Sequence, residues 1–182
     1  ACETNAATQT VQVVAGELEA VFHAAGDGIR FERLGDRSTA TTLATNIAPF
    51  FTLTLTNAVT REHRIMSAAG GWDDVSVRVT RDHLRLRWMG LSSEGRTGVR
   101  VTAAAELDQR ASAVRWTLRI DNQSAAWAVR QVAFPQLAVP ELASQAAVLF
   151  PRGPGEVQYG LWQRAFTCHG NYPDGWCAMQ FL

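Results

Sequence analysis

The side chains best suited to recognising a ligand are concentrated near the C-terminus of the sequence. Aromatic rings alternate there with amide, acidic and guanidinium groups, in the set Trp162, Arg164, Asn171, Tyr172, Asp174 and Trp176. Planar rings stack on the apolar faces of sugar rings, and adjacent polar groups bond the sugar hydroxyls. We therefore predict a carbohydrate-facing edge. The alternative is that the rings pack against the end of the fold or against a partner domain.

Three cysteines indicate two further kinds of chemistry. Cys168 and Cys177 bracket a segment rich in Pro and Gly that can bring its ends together. A disulfide there fits an exported protein and stabilises by about 2–3 kcal/mol in the loop-entropy picture, whereas two buried free thiols are the alternative. Cys2 follows Ala1 as in a bacterial lipoprotein cleavage box, which makes it a lipidation candidate. An artificial chain start is the alternative there.

Paired carboxylates would be needed for glycoside hydrolysis, which places two acids on either side of the bond to be cleaved. The candidates are Asp73 next to Asp74, and Glu156 with Asp174. The first pair follows two glycines, so we interpret it as a solvated turn. No spacing in the sequence shows that the second pair meets, and we assign no catalytic residue.

Other catalytic and cofactor motifs are missing from the sequence. It contains no nucleophile elbow, phosphate-binding loop or dinucleotide fingerprint. Its four histidines lack metal-ligand spacing, and we interpret His23 and His83 as ordinary strand residues. Cys168, adjacent His169 and Cys177 lack a fourth ligand at a usual spacing, which disfavours zinc. The sequence therefore predicts neither a metal nor a cofactor.

Charge and hydropathy narrow the class of partner. The chain has 17 basic and 17 acidic residues, and every basic residue is an arginine. The arginines are scattered along the sequence, and a nucleic-acid surface normally needs a clustered basic surplus. We therefore expect no nucleic-acid partner. No apolar run approaches the length of a membrane span, so contact with a membrane would depend on a lipid at Cys2.

Alternation of apolar and polar residues indicates the elements that must position these groups. This period-two pattern, typical of half-buried strands, recurs in six segments: 17–22, 51–56, 75–80, 84–88, 99–105 and 114–121. Short turn sequences separate them, which favours antiparallel sheets whose apolar faces pack together. The sequence thus predicts an all-β, two-sheet antiparallel sandwich over residues 11–182, after a flexible lead-in over residues 1–10.

Several segments resemble one known family. They are 116–124 (WTLRIDNQS), 132–137 (VAFPQL), 150–155 (FPRGPG), 172–173 (YP) and 179–182 (MQFL). This series is similar to the N-terminal β-supersandwich, of galactose-mutarotase-like type, in bacterial glycoside hydrolases whose catalytic TIM barrel follows the sandwich. The resemblance implies catalytic acids in the barrel, so none transfers to a residue of this chain. It also implies that the chain stops at Leu182 inside an edge strand, so that it is either a fragment of a longer protein or is completed by another chain.

Carbohydrate is the expected ligand class under this resemblance, and a barrel of the same or a companion chain is the expected partner. The chain would be an accessory domain of an exported glycoside hydrolase, located in the periplasm, at the cell surface or outside the cell. Two alternatives remain open. One is a stand-alone carbohydrate-binding module, and the other is a structural or protein-interaction sandwich.

Overall fold

Antiparallel strands form most of the computed structural model, which describes residues 8–46, 48–90, 98–140, 147–150 and 156–160. The strands in the first part of the chain are β1 (Gln9–Ala15), β2 (Leu18–Ala25), β3 (Gly28–Asp36), β4 (Thr41–Thr45), β5 (Thr52–Asn57) and β6 (His63–Ser67). Those that follow are β7 (Asp74–Val79), β8 (His83–Met89), β9 (Val99–Asp108), β10 (Ala113–Asn122), β11 (Trp127–Ala133), β12 (Ala147–Phe150) and β13 (Glu156–Tyr159). Each of the six predicted alternating segments coincides with a strand to within one residue, and β1 begins inside the predicted lead-in.

The chain divides after Pro140 into two compact units. The first contains three antiparallel sheets. Sheet A has the strand order β1-β2-β3-β4, sheet B has β11-β5-β6, and sheet C has β10-β9-β8-β7. The second unit contains the hairpin formed by β12 and β13. The predicted all-β antiparallel sandwich is confirmed, with the strands of the first unit divided among three sheets where two were predicted. The described residues include no helix that could span a bilayer.

The core forms because alternate residues of each strand face inward. In β8, Leu84, Leu86 and Trp88 are fully buried, while the intervening Arg85 and Arg87 are exposed. Inward-facing residues of sheets A, B and C belong to one continuous apolar cluster. The three sheets therefore hold each other in place through a single core.

Aromatic rings fill the part of the core that joins sheets A and C. The Phe22 ring of β2 meets the Trp116 ring of β10 edge to face, with 5.9 Å between centroids. Phe50, just before β5, lies 5.5 Å from Phe22 and 5.0 Å from Trp116. Edge-to-face pairs of this kind add to the stabilisation from area burial alone.

Backbone contacts around Ala68 join all three sheets at one end of the sandwich. The Ala68 carbonyl accepts hydrogen bonds from the Ile29 amide at 2.8 Å and from the Trp88 indole at 3.0 Å. At Gly28, an added Cβ would lie 2.1 Å from the Ala69 carbonyl oxygen, so the close approach of the two backbones requires glycine there.

Gln109 ties sheets A and C together at the opposite end. Its side-chain oxygen accepts a hydrogen bond from the Gly16 amide at 3.0 Å. Its side-chain nitrogen donates to the Val14 carbonyl at 2.8 Å and to the Arg81 carbonyl at 3.2 Å. One side chain therefore connects the β1–β2, β7–β8 and β9–β10 turns.

Candidate functional site

The predicted carbohydrate-facing edge lies outside the described residues. This applies to the six residues Trp162, Arg164, Asn171, Tyr172, Asp174 and Trp176, and to the disulfide candidates Cys168 and Cys177. It also applies to the lipidation candidate Cys2. All of these assignments stay predictions.

Two further aromatic residues, Trp72 and Tyr159, differ in how far they are buried. Trp72, which follows Gly70 and Gly71, is buried: its indole donates to the Ser67 carbonyl at 2.7 Å and its ring packs edge to face on Phe51. Trp72 is therefore a core residue. Tyr159, at the end of β13, is exposed.

The paired-carboxylate candidates are only partly described. Asp73 is exposed, and Asp74 begins β7 with its side chain half-buried. Glu156 begins β13, while Asp174 lies outside the described residues. A meeting of Glu156 with Asp174 therefore stays untested. Among the described residues, no group of three or more His, Cys, Asp or Glu side chains is arranged to hold a metal ion.

His23 and His83 lie in strands, as predicted, and His23 belongs to a polar chain on the outer face of sheet A. The Thr10 hydroxyl lies 2.9 Å from His23 Nδ1, and His23 Nε2 pairs with the Glu32 carboxylate. The order of groups is that of a nucleophile, a base and an orienting acid. All three side chains are substantially solvent-exposed, so the geometry supports a cross-strand stabilising contact rather than a shielded reaction centre.

A second polar chain crosses the same outer face. The nearly buried carboxylate of Glu19, a residue only 9% exposed, accepts hydrogen bonds from the Gln12 amide and the Arg33 guanidinium. The pair borders a depression of about 340 Å³ whose other charged residues are Asp36 and Arg37. Two carboxylates and two guanidinium groups therefore balance one another around this depression.

The outer face of sheet C has a different charge arrangement. Its strand register produces two adjacent cross-strand rows of outward-facing residues. One row is Arg119, Thr102, Arg87 and Ser76, and the other is Thr117, Ala104, Arg85 and Arg78. We call these two rows the arginine rows. They hold four arginines and no carboxylate.

Carboxylates of sheet C lie in the flanking rows instead. On one side Asp121, Arg100, Met89 and Asp74 follow one another across the strands, and on the other side Arg115, Glu106 and His83 do so. Arg119 reaches toward one flank, where its Nε donates to Asp121 Oδ1 at 2.9 Å. Basic charge is thus concentrated in the middle of the face.

One pair in these rows opposes a general rule of sheet stability. Arg78 and Arg85 are direct cross-strand partners, and like charges directly opposite one another destabilise a sheet. Both are exposed, as is Arg87. Within the described part of the chain, no carboxylate lies in salt-bridge range of these three guanidinium groups. Among the described residues, sheet C therefore has a basic patch in which these three guanidinium groups lack an acidic partner.

Strand pairing brings together four of the arginines that are scattered along the sequence, while the expected absence of a nucleic-acid partner stays a prediction. About 40 residues of sequence separate Arg78 from Arg119. Strand pairing nevertheless places both of them, together with Arg85 and Arg87, in two adjacent rows. The signal available in the sequence was the alternation itself, because each of these arginines lies between two inward-facing apolar residues. Charge balance over the whole chain conceals this local surplus.

Comparison with known proteins adds no family to this picture. No protein-family model matches the sequence, and no curated protein matches it.

Proposed function

We propose that this chain is an accessory β-sandwich domain of an exported glycoside hydrolase, which packs on the catalytic barrel of the same or a companion chain. The observation that carries the proposal is a rigidly held segment with exposed apolar side chains. Val132, Leu137 and Val139 are 43%, 40% and 47% exposed. Two of these residues, Val132 and Leu137, belong to the 132–137 stretch that resembles the supersandwich family.

Hydrogen bonds hold this segment firmly in place. Ala138 and Thr45 exchange two backbone hydrogen bonds, of 2.8 and 3.1 Å. The Gln136 amide donates to the Phe50 carbonyl at 3.0 Å, and its side-chain nitrogen donates to the Pro49 carbonyl at 2.9 Å. Phe134 anchors the start of the segment by packing its ring 5.2 Å from that of Phe50.

Ordered apolar side chains at a surface are typical of a protein-protein contact when they are grouped together. Leu137 and Val139 are on either side of the bridged residue Ala138, so a partner can bury both without any change in the backbone. Burying two such side chains contributes about 25 cal/mol for each Å² of apolar area covered. A partner with an apolar surface, as the flank of a catalytic domain has, fits this segment.

Cleavage of the glycosidic bond belongs to the barrel in this proposal. The sandwich would support that domain, and Trp162, Tyr172 or Trp176 would contribute to the rim of its sugar-binding cleft. Export follows from the parent enzyme's action on external polysaccharide. Within the chain, the segment around Leu137 has the role of a structural contact.

Characterisation of the complete gene product tests the enzyme assignment. We expect a polypeptide well above the chain's 19.9 kDa, which releases reducing sugars from a panel of polysaccharides. A gene product that ends at Leu182 and has no associated hydrolase would contradict the proposal. A stand-alone module would then be the better description.

A matched pair of variants tests the contact itself. In the complete protein, the double substitution Leu137→Ser with Val139→Ser is expected to expose the catalytic domain to proteolysis and to lower its melting temperature. The control is Val59→Ser, which changes an apolar residue that is 84% exposed in the β5–β6 turn. If the control has as large an effect as the double variant, the segment is not the contact.

A further inference from the structure

We infer that the outer face of sheet C binds an acidic polysaccharide, through the four guanidinium groups of the arginine rows. The choice of a glycan over other polyanions rests on the function proposed above. The existence of the basic surface does not, because it follows from the register of β7, β8, β9 and β10.

Guanidinium chemistry identifies the ligand group. An arginine presents parallel N–H donors that match the two oxygens of a carboxylate or the oxygens of a sulfate, so it binds either group in a bidentate manner. Arg78, Arg85 and Arg87 have no carboxylate within salt-bridge range among the described residues, so their donors are available to a ligand. An anionic ligand would also relieve the repulsion between Arg78 and Arg85.

Spacing in the rows suits a chain of repeated acidic groups. Arg85 and Arg87 are two residues apart on one strand, a separation of about 7 Å, and Arg119 lies two strands from Arg87, at about 10 Å. Several guanidinium groups can therefore engage successive acidic sugars at the same time. Simultaneous weak contacts of this kind raise the overall affinity well above that of one pair.

The residues between the arginines suit a sugar backbone. Ser76, Thr102 and Thr117 place hydroxyl groups in the same two rows, and Ala104 leaves the centre of the face low. Hydroxyl groups both donate and accept, so they complement sugar hydroxyls between the charged positions. The face thus combines charge recognition with neutral hydrogen bonding.

Single-stranded nucleic acid fits this face less well. Proteins that bind it stack the bases on aromatic side chains along a basic groove. In the described strands of sheet C the two tryptophans, Trp88 and Trp116, are inward-facing members of the core, so neither ring is on the outer face.

Binding to polygalacturonate, which carries a carboxylate on each sugar, tests the inference directly. The 182-residue chain is titrated at low and at physiological salt, with the fully methyl-esterified polymer as an uncharged ligand of the same backbone. We expect binding to the acid form that weakens as salt rises, and no comparable binding to the ester. Equal binding to both forms, or to neither, would overturn the inference.

Two double variants locate the site. Arg85→Ser with Arg87→Ser is expected to weaken binding roughly fivefold to thirtyfold, because each guanidinium is expected to contribute in the upper half of the range for exposed pairs. The control Arg30→Ser with Arg37→Ser removes the same charge from the sheet A side and is expected to leave binding unchanged. Equal weakening by the two double variants would show that total charge, rather than this face, binds the polymer, and would overturn the inference.

A competition arm separates glycan from nucleic acid, and the outcome is independent of the domain contact proposed above. A single-stranded oligonucleotide that binds more tightly than polygalacturonate at the same salt concentration would overturn the inference. Polygalacturonate binding by a gene product without hydrolase activity would instead retain this site and reject the accessory-domain function. Loss of binding with an intact hydrolase would do the reverse.

Discussion

Sheets A and C pack on the same core, but the charged residues on their outer faces are arranged differently. On sheet A, Glu19 pairs with Arg33, and His23 pairs with Glu32. On sheet C, Arg78 lies opposite Arg85, and no described carboxylate lies in salt-bridge range of either. A face that serves stability alone tends toward the first arrangement, because paired charges contribute and opposed like charges cost. Stability of the fold therefore does not account for the arginine rows, whereas the proposed binding of an acidic ligand does.

The largest expected effect separates the inner from the outer side of one strand. Leu86→Ala in β8 is expected to lower the free energy of unfolding by about 2–5 kcal/mol, because it leaves a cavity in a fully buried position. Arg87→Ala, the next residue, should stay within about 0.5 kcal/mol of the parent protein. Urea denaturation measures both. A large loss in Arg87→Ala would mean that the arginine rows stabilise the sheet.

A matched pair of acidic residues gives the second effect. Glu19→Ala on sheet A is expected to cost about 1–3 kcal/mol, because it removes a nearly buried acceptor and leaves Gln12 and Arg33 without their partner. Glu106→Ala on sheet C removes an exposed carboxylate and is expected to change stability by less than about 0.5 kcal/mol. Similar losses in the two variants would remove the distinction between the faces.

Charge reversal is expected to have opposite signs on the two faces. Arg85→Glu places a carboxylate opposite Arg78 and should stabilise by about 0.2–1 kcal/mol. Arg33→Glu places a second carboxylate beside Glu19 and should destabilise. Thermal melting at low and high salt checks both, since screening should reduce the gain in Arg85→Glu. A destabilised Arg85→Glu would show that the row tolerates only arginine.

The smallest effect concerns two partly exposed aspartates, each the last residue of a strand in sheet A or sheet C. The Ser38 hydroxyl and nearby backbone amides lower the pKa of Asp36, at the end of β3. The Ala111 and Arg110 backbone amides lower the pKa of Asp108, at the end of β9, with a further contribution from the Arg115 charge. Each ionised carboxylate therefore stabilises the fold above its ordinary pKa, and that contribution is lost as the pH falls through the lowered pKa.

Carboxyl NMR titration distinguishes the two aspartates. Arg115→Ala should raise the pKa of Asp108 slightly and leave that of Asp36 unchanged, because a charge contributes in the first case and hydrogen bonds dominate the second. Added salt should act in the same direction as the substitution. A pKa of Asp108 that is insensitive to both changes would mean that Arg115 does not contribute.

Bulges in the strand pairing explain why the alternation of apolar and polar residues does not predict every strand. The pairing of β5 with β11 shifts register between Val129 and Gln131, and that of β2 with β3 shifts between Val21 and Phe22. An extra residue at such a bulge reverses which face the following side chains point to, so strict alternation breaks down.

Two local features of the amino-acid sequence are sufficient to predict the class of fold. Alternation in segments such as 84–88 and 114–121 dictates one wet and one dry face for each strand, and short turns make neighbouring strands antiparallel. Alternation also places Trp88 and Trp116 in phase with their apolar neighbours, and in the structure both rings face the core. These properties are local, so a single sequence contains them.

Which outward-facing residues become cross-strand partners depends on the folded structure. Whether Arg78 lies opposite Arg85 or one residue away depends on the register of β7 against β8, which packing of the whole core selects. The burial of Trp72 depends in the same way on the approach of Phe51 and on the Ser67 carbonyl. Such contacts join residues distant in the chain, and no local pattern records them. The arginine rows therefore exist only in the folded protein.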